Sequence, residues 1–219
     1  MSRRTLLCWT HLLIFAASLP ACNDPTAGAP KAKVADPAAK AAPAQAVPAA
    51  AEAHATKPLA LDPTRSKVRF VGAKVTASHD GSFSKVAGEA TFDGTTPKAV
   101  AVTVHVASLE AEPPKLREHL LSDDFFAAER HPTATFRSTA IVPKAAGDST
   151  HEVTGDLTLR GTTKRITVPA RIEIEGSKAR GRARFSIDRK DFGIVYPGMK
   201  DDLIQDEVLL DLDLVFGPS

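Results

Sequence analysis

Cysteine is almost missing from this chain: two in 219 residues, Cys8 and Cys22. That excludes a disulfide framework and a cysteine-built zinc cluster. The seven histidines are dispersed without ligand spacing, so no protein metal site is expected. Aromatic residues are scarce at 5%. The basic row Arg180, Arg182 and Arg184 has one aromatic neighbour, Phe185, and alternation sends it to the opposite face. Nucleic-acid binding wants basic and stacking groups together, and the formal charge is only +2, so that function is excluded. No uninterrupted apolar run reaches the roughly 20 residues that span a bilayer. There is no Gly-x-Ser-x-Gly elbow, and Asp191-Phe192-Gly193 stands without the glycine loop and catalytic loop of a kinase. Asp123 and Asp124 are adjacent, so they do not converge on one atom and read as capping residues. No nucleophile–base pair is legible, and the expectation is a protein that binds rather than an enzyme.

What is present falls into three segments. Residues 1–21 read as a signal peptide: Arg3 and Arg4 form a basic start, and Leu6 to Ala17 form an apolar stretch broken by Thr10 and His11. Leu19-Pro20-Ala21-Cys22 resembles a bacterial lipobox, in which Cys22 is acylated and two or three chains anchor the protein stably. Ordinary signal cleavage with a soluble product is the alternative. Ser2-Arg3-Arg4-Thr5-Leu6-Leu7 also resembles a twin-arginine signal, which leaves the export route open. Without Arg3 and Arg4 the chain carries 26 basic and 26 acidic residues, so the +2 charge belongs to the leader.

Residues 22–58 follow as a tether of Ala, Pro and Lys, with Val34 and Val47 its only branched apolar residues. Six prolines from Pro25 to Pro58 interrupt any helix. Such a stretch buries too little surface to offset its ordering entropy. It is expected to be disordered, with a reach of roughly 35 Å as a coil or on the order of 100 Å if extended.

From residue 59 to 219 the pattern becomes period two, the mark of half-buried strands. Val100, Val102, Val104 and Val106 share a face; so do Phe136, Ser138, Ala140 and Val142; Val153, Gly155, Leu157 and Leu159; and Val208, Leu210, Leu212, Leu214 and Phe216. One hairpin can be set in register. Gly176-Ser177 forms a two-residue turn, placing Glu175 opposite Lys178, Glu173 opposite Arg180, Ile174 opposite Ala179 and Ile172 opposite Gly181. Continued further, Ala170 meets Ala183 and Val168 meets Phe185. Small inward residues and repeated strand glycines favour an antiparallel barrel holding one ligand; a curved sandwich with a filled core is the competing architecture. His79-Asp80-Gly81 reads as a turn. One helical segment is expected over about Lys115 to Arg130, with a break near Ser122 and a stop at His131-Pro132.

Leu116-Arg117-Glu118-His119-Leu120-Leu121-Ser122-Asp123-Asp124-Phe125-Phe126, followed by His131-Pro132-Thr133-Ala134-Thr135-Phe136-Arg137-Ser138, resembles the signature R-x-x-H-L-x-S-x-D-F-F…P-x-x-x-F-x-S of the YceI-like family. Gly155 to Lys164 resembles its G-x-L-T-x-x-G-x-T-K stretch, and Arg189-Lys190-Asp191-Phe192-Gly193 its R-x-D-F-G turn. Arg165, where many members carry proline, and the loop Glu110-Ala111-Glu112 depart from the pattern.

The resemblance implies an all-β, lipocalin-like antiparallel barrel with one short helical insertion. It also implies a lumen that binds a polyisoprenoid or an isoprenoid quinone tail. Candidate lining residues are Phe70, Val102, Val104, Phe136, Leu157, Leu159, Ile172, Phe185, Leu210 and Leu212. Arg117, His119 and Arg189 are candidates for a polar head. Equally, Arg117 and Arg189 pair with nearby aspartates to fix loops, and His119 is satisfied within its helix. The expected partners are a long isoprenoid lipid and, through acylated Cys22, a membrane facing the periplasm; a homodimer is compatible with the sequence. The competing functions are an envelope protein-interaction module with a filled barrel and a lipid-modifying enzyme.

Overall fold

The computed structural model describes residues 24–37 and 58–218; the signal peptide, Cys22 and most of the expected tether lie outside these residues. The strands in chain order are β1 (Lys33–Ala35), β2 (Leu59–Ala60), β3 (Lys67–Ala73), β4 (Ser78–Phe83), β5 (Val86–Asp93), β6 (Thr96–His105) and β7 (Leu109–Ala111). The helix α1 (Pro114–Leu121) precedes β8 (Thr133–Ala146), β9 (Ser149–Leu159), β10 (Thr162–Glu175), β11 (Lys178–Asp188), β12 (Gly198–Met199), β13 (Asp202–Leu203) and β14 (Glu207–Phe216). The main sheet runs β2-β5-β6-β8-β9-β10-β11-β14-β3-β4-β7, and every pairing along it is antiparallel.

The sheet curls strongly, and β2 joins its two sides. The N–H of Leu61 donates to the carbonyl of Gly88 on β5 at 2.9 Å, while the N–H of Asp62 donates to Val215 on β14 at 2.8 Å. Strand β14 therefore shares one edge between β3, along Leu209–Asp213, and the β2 segment, at Val215 and Phe216. Strands β4 and β7 continue the sheet outward from β3.

Strand direction fixes the two ends. The β5–β6, β8–β9 and β10–β11 turns lie at one end, called here the hairpin end. Helix α1, the loop after it, the Arg160–Gly161 turn and the short helical turn Arg189–Phe192 lie at the other. That second end is plugged: Phe192 is fully buried in a cluster with Ile166, Phe185 and Ile187. The helix is shorter than expected, ending at Ser122, whose hydroxyl donates to the carbonyl of His119. No helix among the described residues is long and apolar enough to cross a membrane.

Three departures from the sequence reading have local causes. The tether is not uniform. Residues 24–37 lie on the barrel, with β1 pairing Lys33 to Thr167, Val34 to Ile166 and Ala35 to Arg165, and Ala32 is buried. As a result the β10–β11 register holds from Glu175–Lys178 to Arg171–Arg182 and stops, so Ala170 and Val168 do not pair with Ala183 and Phe185 and keep only their β9 partners, His151 and Val153. On β8 a bulge between Ser138 and Ala140 switches the face, so Ile141 turns inward and Val142 outward. His79-Asp80-Gly81 sits inside β4 rather than in a turn. Gly81 is needed there because the Phe70 ring occupies the space of a Cβ.

Candidate functional site

The inward faces of the barrel strands enclose an apolar cavity of about 220 Å³. Alternation explains its wall. Leu210, Leu212 and Leu214 come from β14, Val100, Val102 and Val104 from β6, and Ile166, Val168, Ala170 and Ile172 from β10. On β11 the inward residues are Ala179, Gly181, Ala183 and Phe185, so this side of the wall is mostly small. A Cβ added at Gly181 would meet nothing within 4 Å. Opposite, the ring of Phe136 lies over Gly155, whose missing side chain makes room for it. Phe92, Pro97 and Ala99 bring the wall out to the β5–β6 turn, so the cavity extends towards the hairpin end.

Of the lining candidates, Val102, Val104, Phe136, Leu157 and Leu159 stand in the wall, as do Ile172, Phe185, Leu210 and Leu212. Phe70 does not. It is paired with Leu210 on β14, but it lies towards the end of the barrel where Phe126 sits. Its ring packs on Phe83 and Phe126 with centroids 5.8 and 6.1 Å away. Residues missed by the sequence reading, such as Phe92, Ile166, Ile187, Leu214 and Phe216, share the alternation of those chosen and were legible from it. Ile141 was not, because the bulge hides its parity.

None of the three head-group candidates stands in the wall. Arg117 donates through Nε to the carbonyl of Leu109 at 2.7 Å and also to Ala107, fastening α1 to the segment before it rather than pairing with an aspartate. His119 Nε2 lies 3.0 Å from Asp124 Oδ2, edge-on to Phe125 and Tyr196. Arg189, only 4% exposed, donates to the carbonyls of Gln205, Ile194, Tyr196 and Ile204 and to Asp206. Five acceptors make it the knot that ties β11 to the segment leading into β14.

Arg180 and Arg182 flank Gly181 near the hairpin end and alternate to the outer, exposed face. Arg180 reaches Asp213 on β14, and Arg182 reaches Glu173, which Arg171 also contacts; the direct Glu173–Arg180 partnership expected from register is not the ion pair formed. Arg165, the departure from the family pattern, forks onto Asp156 across β9 at 2.8 and 3.0 Å. Thr135 is the wall's one hydroxyl-bearing residue.

The carboxylates that pin the strands set an acid limit. Hydrogen bonds from Lys31 and Ser186 hold Glu207 below its ordinary range, Arg180 does so for Asp213, and Lys190 then Arg189 for Asp206. A carboxylate depressed in the folded state stabilises above its unfolded pKa and loses that contribution as pH falls through its folded value. Urea midpoints should therefore hold steady from neutrality to about pH 5 and fall below about pH 4. A midpoint unchanged at about pH 3 would contradict these pairings.

A model of the YceI-like domain matches residues 59–216. The chain belongs to that family. Among its YceI-like relatives, a UPF0312 protein of Ectopseudomonas mendocina is 38% identical over 122 residues, covering 52% of this chain and 63% of the relative's length. The chain thus spans somewhat under two thirds of that curated relative. The structure of BcnA from Burkholderia cenocepacia is similar at 28% identity with a TM-score of 0.62, covering 71% of this chain and 98% of that one. A domain from Saccharophagus degradans, described as polyisoprenoid-binding and implicated in plant cell wall breakdown, matches with a TM-score of 0.61 over 75% of this chain and 99% of that one. At 16% identity that likeness speaks for the fold alone.

Proposed function

We propose that this YceI-like protein holds a long apolar lipid of isoprenoid type inside the barrel, carrying or sequestering it without changing its bonds. The observation that carries the reading is the wall: about 220 Å³ enclosed by aliphatic and aromatic side chains. An apolar cavity of about 150 Å³ already stays dry and takes up benzene. The two buried side-chain atoms left without a partner among the described residues, Asp62 Oδ2 and Arg160 Nε, belong to residues outside the wall. A chain of prenyl units fits such a site because its burial needs no polar partner and contributes roughly 25 cal/mol per Å². The isoprenoid class is supported by the family and by the binding named for the Saccharophagus relative. A polar head belongs at the hairpin end, where Phe92, Pro97 and Ala99 carry the wall out to the β5–β6 turn. Export to the periplasm and anchoring through acylated Cys22 are part of the same proposal, supported by the lipobox-like residues 19–22.

Native mass spectrometry of the full-length protein purified from its host tests the reading. The expected result is one co-bound lipid whose fragments repeat at the isoprene mass. A ligand-free protein, or a bound species without that repeat, would overturn it. Cys22→Ser is expected to move the protein from the membrane fraction to the soluble one.

A further inference from the structure

Strands β10 and β11 leave their hairpin paired and then separate. Beyond Arg171–Arg182, β10 keeps β9 on one edge and turns the other, at Arg165–Thr167, to β1. On β11 the partner is again the N-terminal segment. The N–H of Ser186 donates to the carbonyl of Pro30 at 3.0 Å, and its carbonyl accepts from the N–H of Ala32 at 2.8 Å. Residues 30–35 thus fill a slot between two neighbouring barrel strands, antiparallel to β10 and parallel to β11. The slot backs directly onto the lumen. Ala32 belongs to the same buried cluster as Ile166, Phe185 and Ile187, and those three side chains form part of the cavity wall.

We infer that this slot is a lateral gate of the lumen and that residues 30–35 are its removable closing strand. The inference rests on the lipid-binding reading above. Its physical basis is a contrast in how firmly the neighbours are held. Strand β10 is paired with β9 over nine positions and with β1 over three. Only Ala32 and Val34 of the closing strand pack against the core, and buried apolar area is what resists removal. Its flanking ion pairs, Lys31–Glu207 at 2.7 Å and Lys164–Asp36 at 2.6 Å, lie at the surface, where such pairs contribute little. Elements held this weakly open before the rest of a domain does. The slot lies beside the buried Phe192, and Ala32, Ile166, Phe185, Ile187 and Phe192 form one cluster, so withdrawing the strand uncovers the lumen wall next to that plug. A seam parted beyond Arg171–Arg182 gives a lipid a side entrance to the lumen that does not pass the hairpin turns.

The test measures exchange of Nile red, an apolar fluorescent probe, with the delipidated full-length protein. Ala32→Glu places a charge in the buried slot and expels the strand. A second variant, with Cys8 and Cys22 changed to serine, carries Lys33→Cys and Thr167→Cys. Those two positions are direct antiparallel partners, whose Cα atoms stand about 4.5–5.5 Å apart, within disulfide reach. The expected result is probe exchange at least about tenfold faster in Ala32→Glu and at least about tenfold slower in the oxidised lock, restored on reduction. Hydrogen exchange at the Ser186 amide, which the Pro30 carbonyl holds in the closed form, reports strand release independently. Probe bound by the unmodified protein but exchanging at one rate in all forms overturns the gate and leaves the binding reading standing. No probe binding by any form overturns both.

Discussion

Gly181→Phe is expected to strip the protein of its co-purifying lipid while the barrel stays folded. Gly181 lies on the inward face of β11, across from Ile172 on β10 and Leu214 on β14. Its φ is not among the positive ones, so an L side chain meets no backbone strain, and a Cβ there points into open space. The ring would occupy the lumen the lipid needs. Replacing a strand glycine also removes a backbone-entropy penalty of about 0.5–1 kcal/mol, so the urea midpoint should hold or rise. Lipid bound per protein, measured by native mass spectrometry, should fall to background for Gly181→Phe and partway for Gly181→Leu. Full lipid occupancy in a stable Gly181→Phe protein would place the ligand outside the barrel.

Arg189→Met should be the most destabilising single change in the folded domain. The arginine is buried and serves four carbonyls and one carboxylate. Methionine can fill much of its volume but donates nothing, leaving those acceptors buried or forcing the loop open. Removing one partner from a buried charged network costs about 3–5 kcal/mol, a large share of the 5–15 kcal/mol typical of a domain. Arg189→Lys should recover only a fraction, since an ammonium offers three donors where the planar fork offers five. Urea denaturation checks both. A loss below about 1 kcal/mol for Arg189→Met would mean that water replaces the arginine cheaply.

These two residues show where the sequence was readable. The inward alternation of β9, β10 and β14 gave most of the wall directly, because a strand with one buried face must repeat every second residue. The Gly176-Ser177 turn likewise gave the hairpin register down to Arg171 and Arg182. Reading failed where a distant element intervened. Ala32 and Val34, two apolar residues among prolines and lysines, do not announce a strand, yet a slot that offers the backbone of Ser186 and the free edge of Arg165–Thr167 can order so poor a sequence. A single bulge on β8 reversed the parity of Ile141, and packing on Phe83 and Phe126 took Phe70 out of the wall. Arg189 drew notice as a charged motif residue. Only the tertiary fold reveals that four backbone carbonyls and the Asp206 carboxylate take up its donors.

The docked N-terminal segment also sets a height. Asp24 already sits in a local turn, its carboxylate accepting from the N–H and hydroxyl of Thr26, and Thr26 is buried. Cys22 is two residues earlier, and two residues span at most about 7 Å. With Cys22 acylated as proposed, the barrel rests on the headgroups with its β10–β11 side towards the bilayer, instead of ranging freely at the end of a long leash. Withdrawal of residues 30–35 would then do two things at once, parting the seam and paying out chain between anchor and barrel. Loading and lift-off become one mechanical event, with the lipid drawn from the surface that the closed protein sits on.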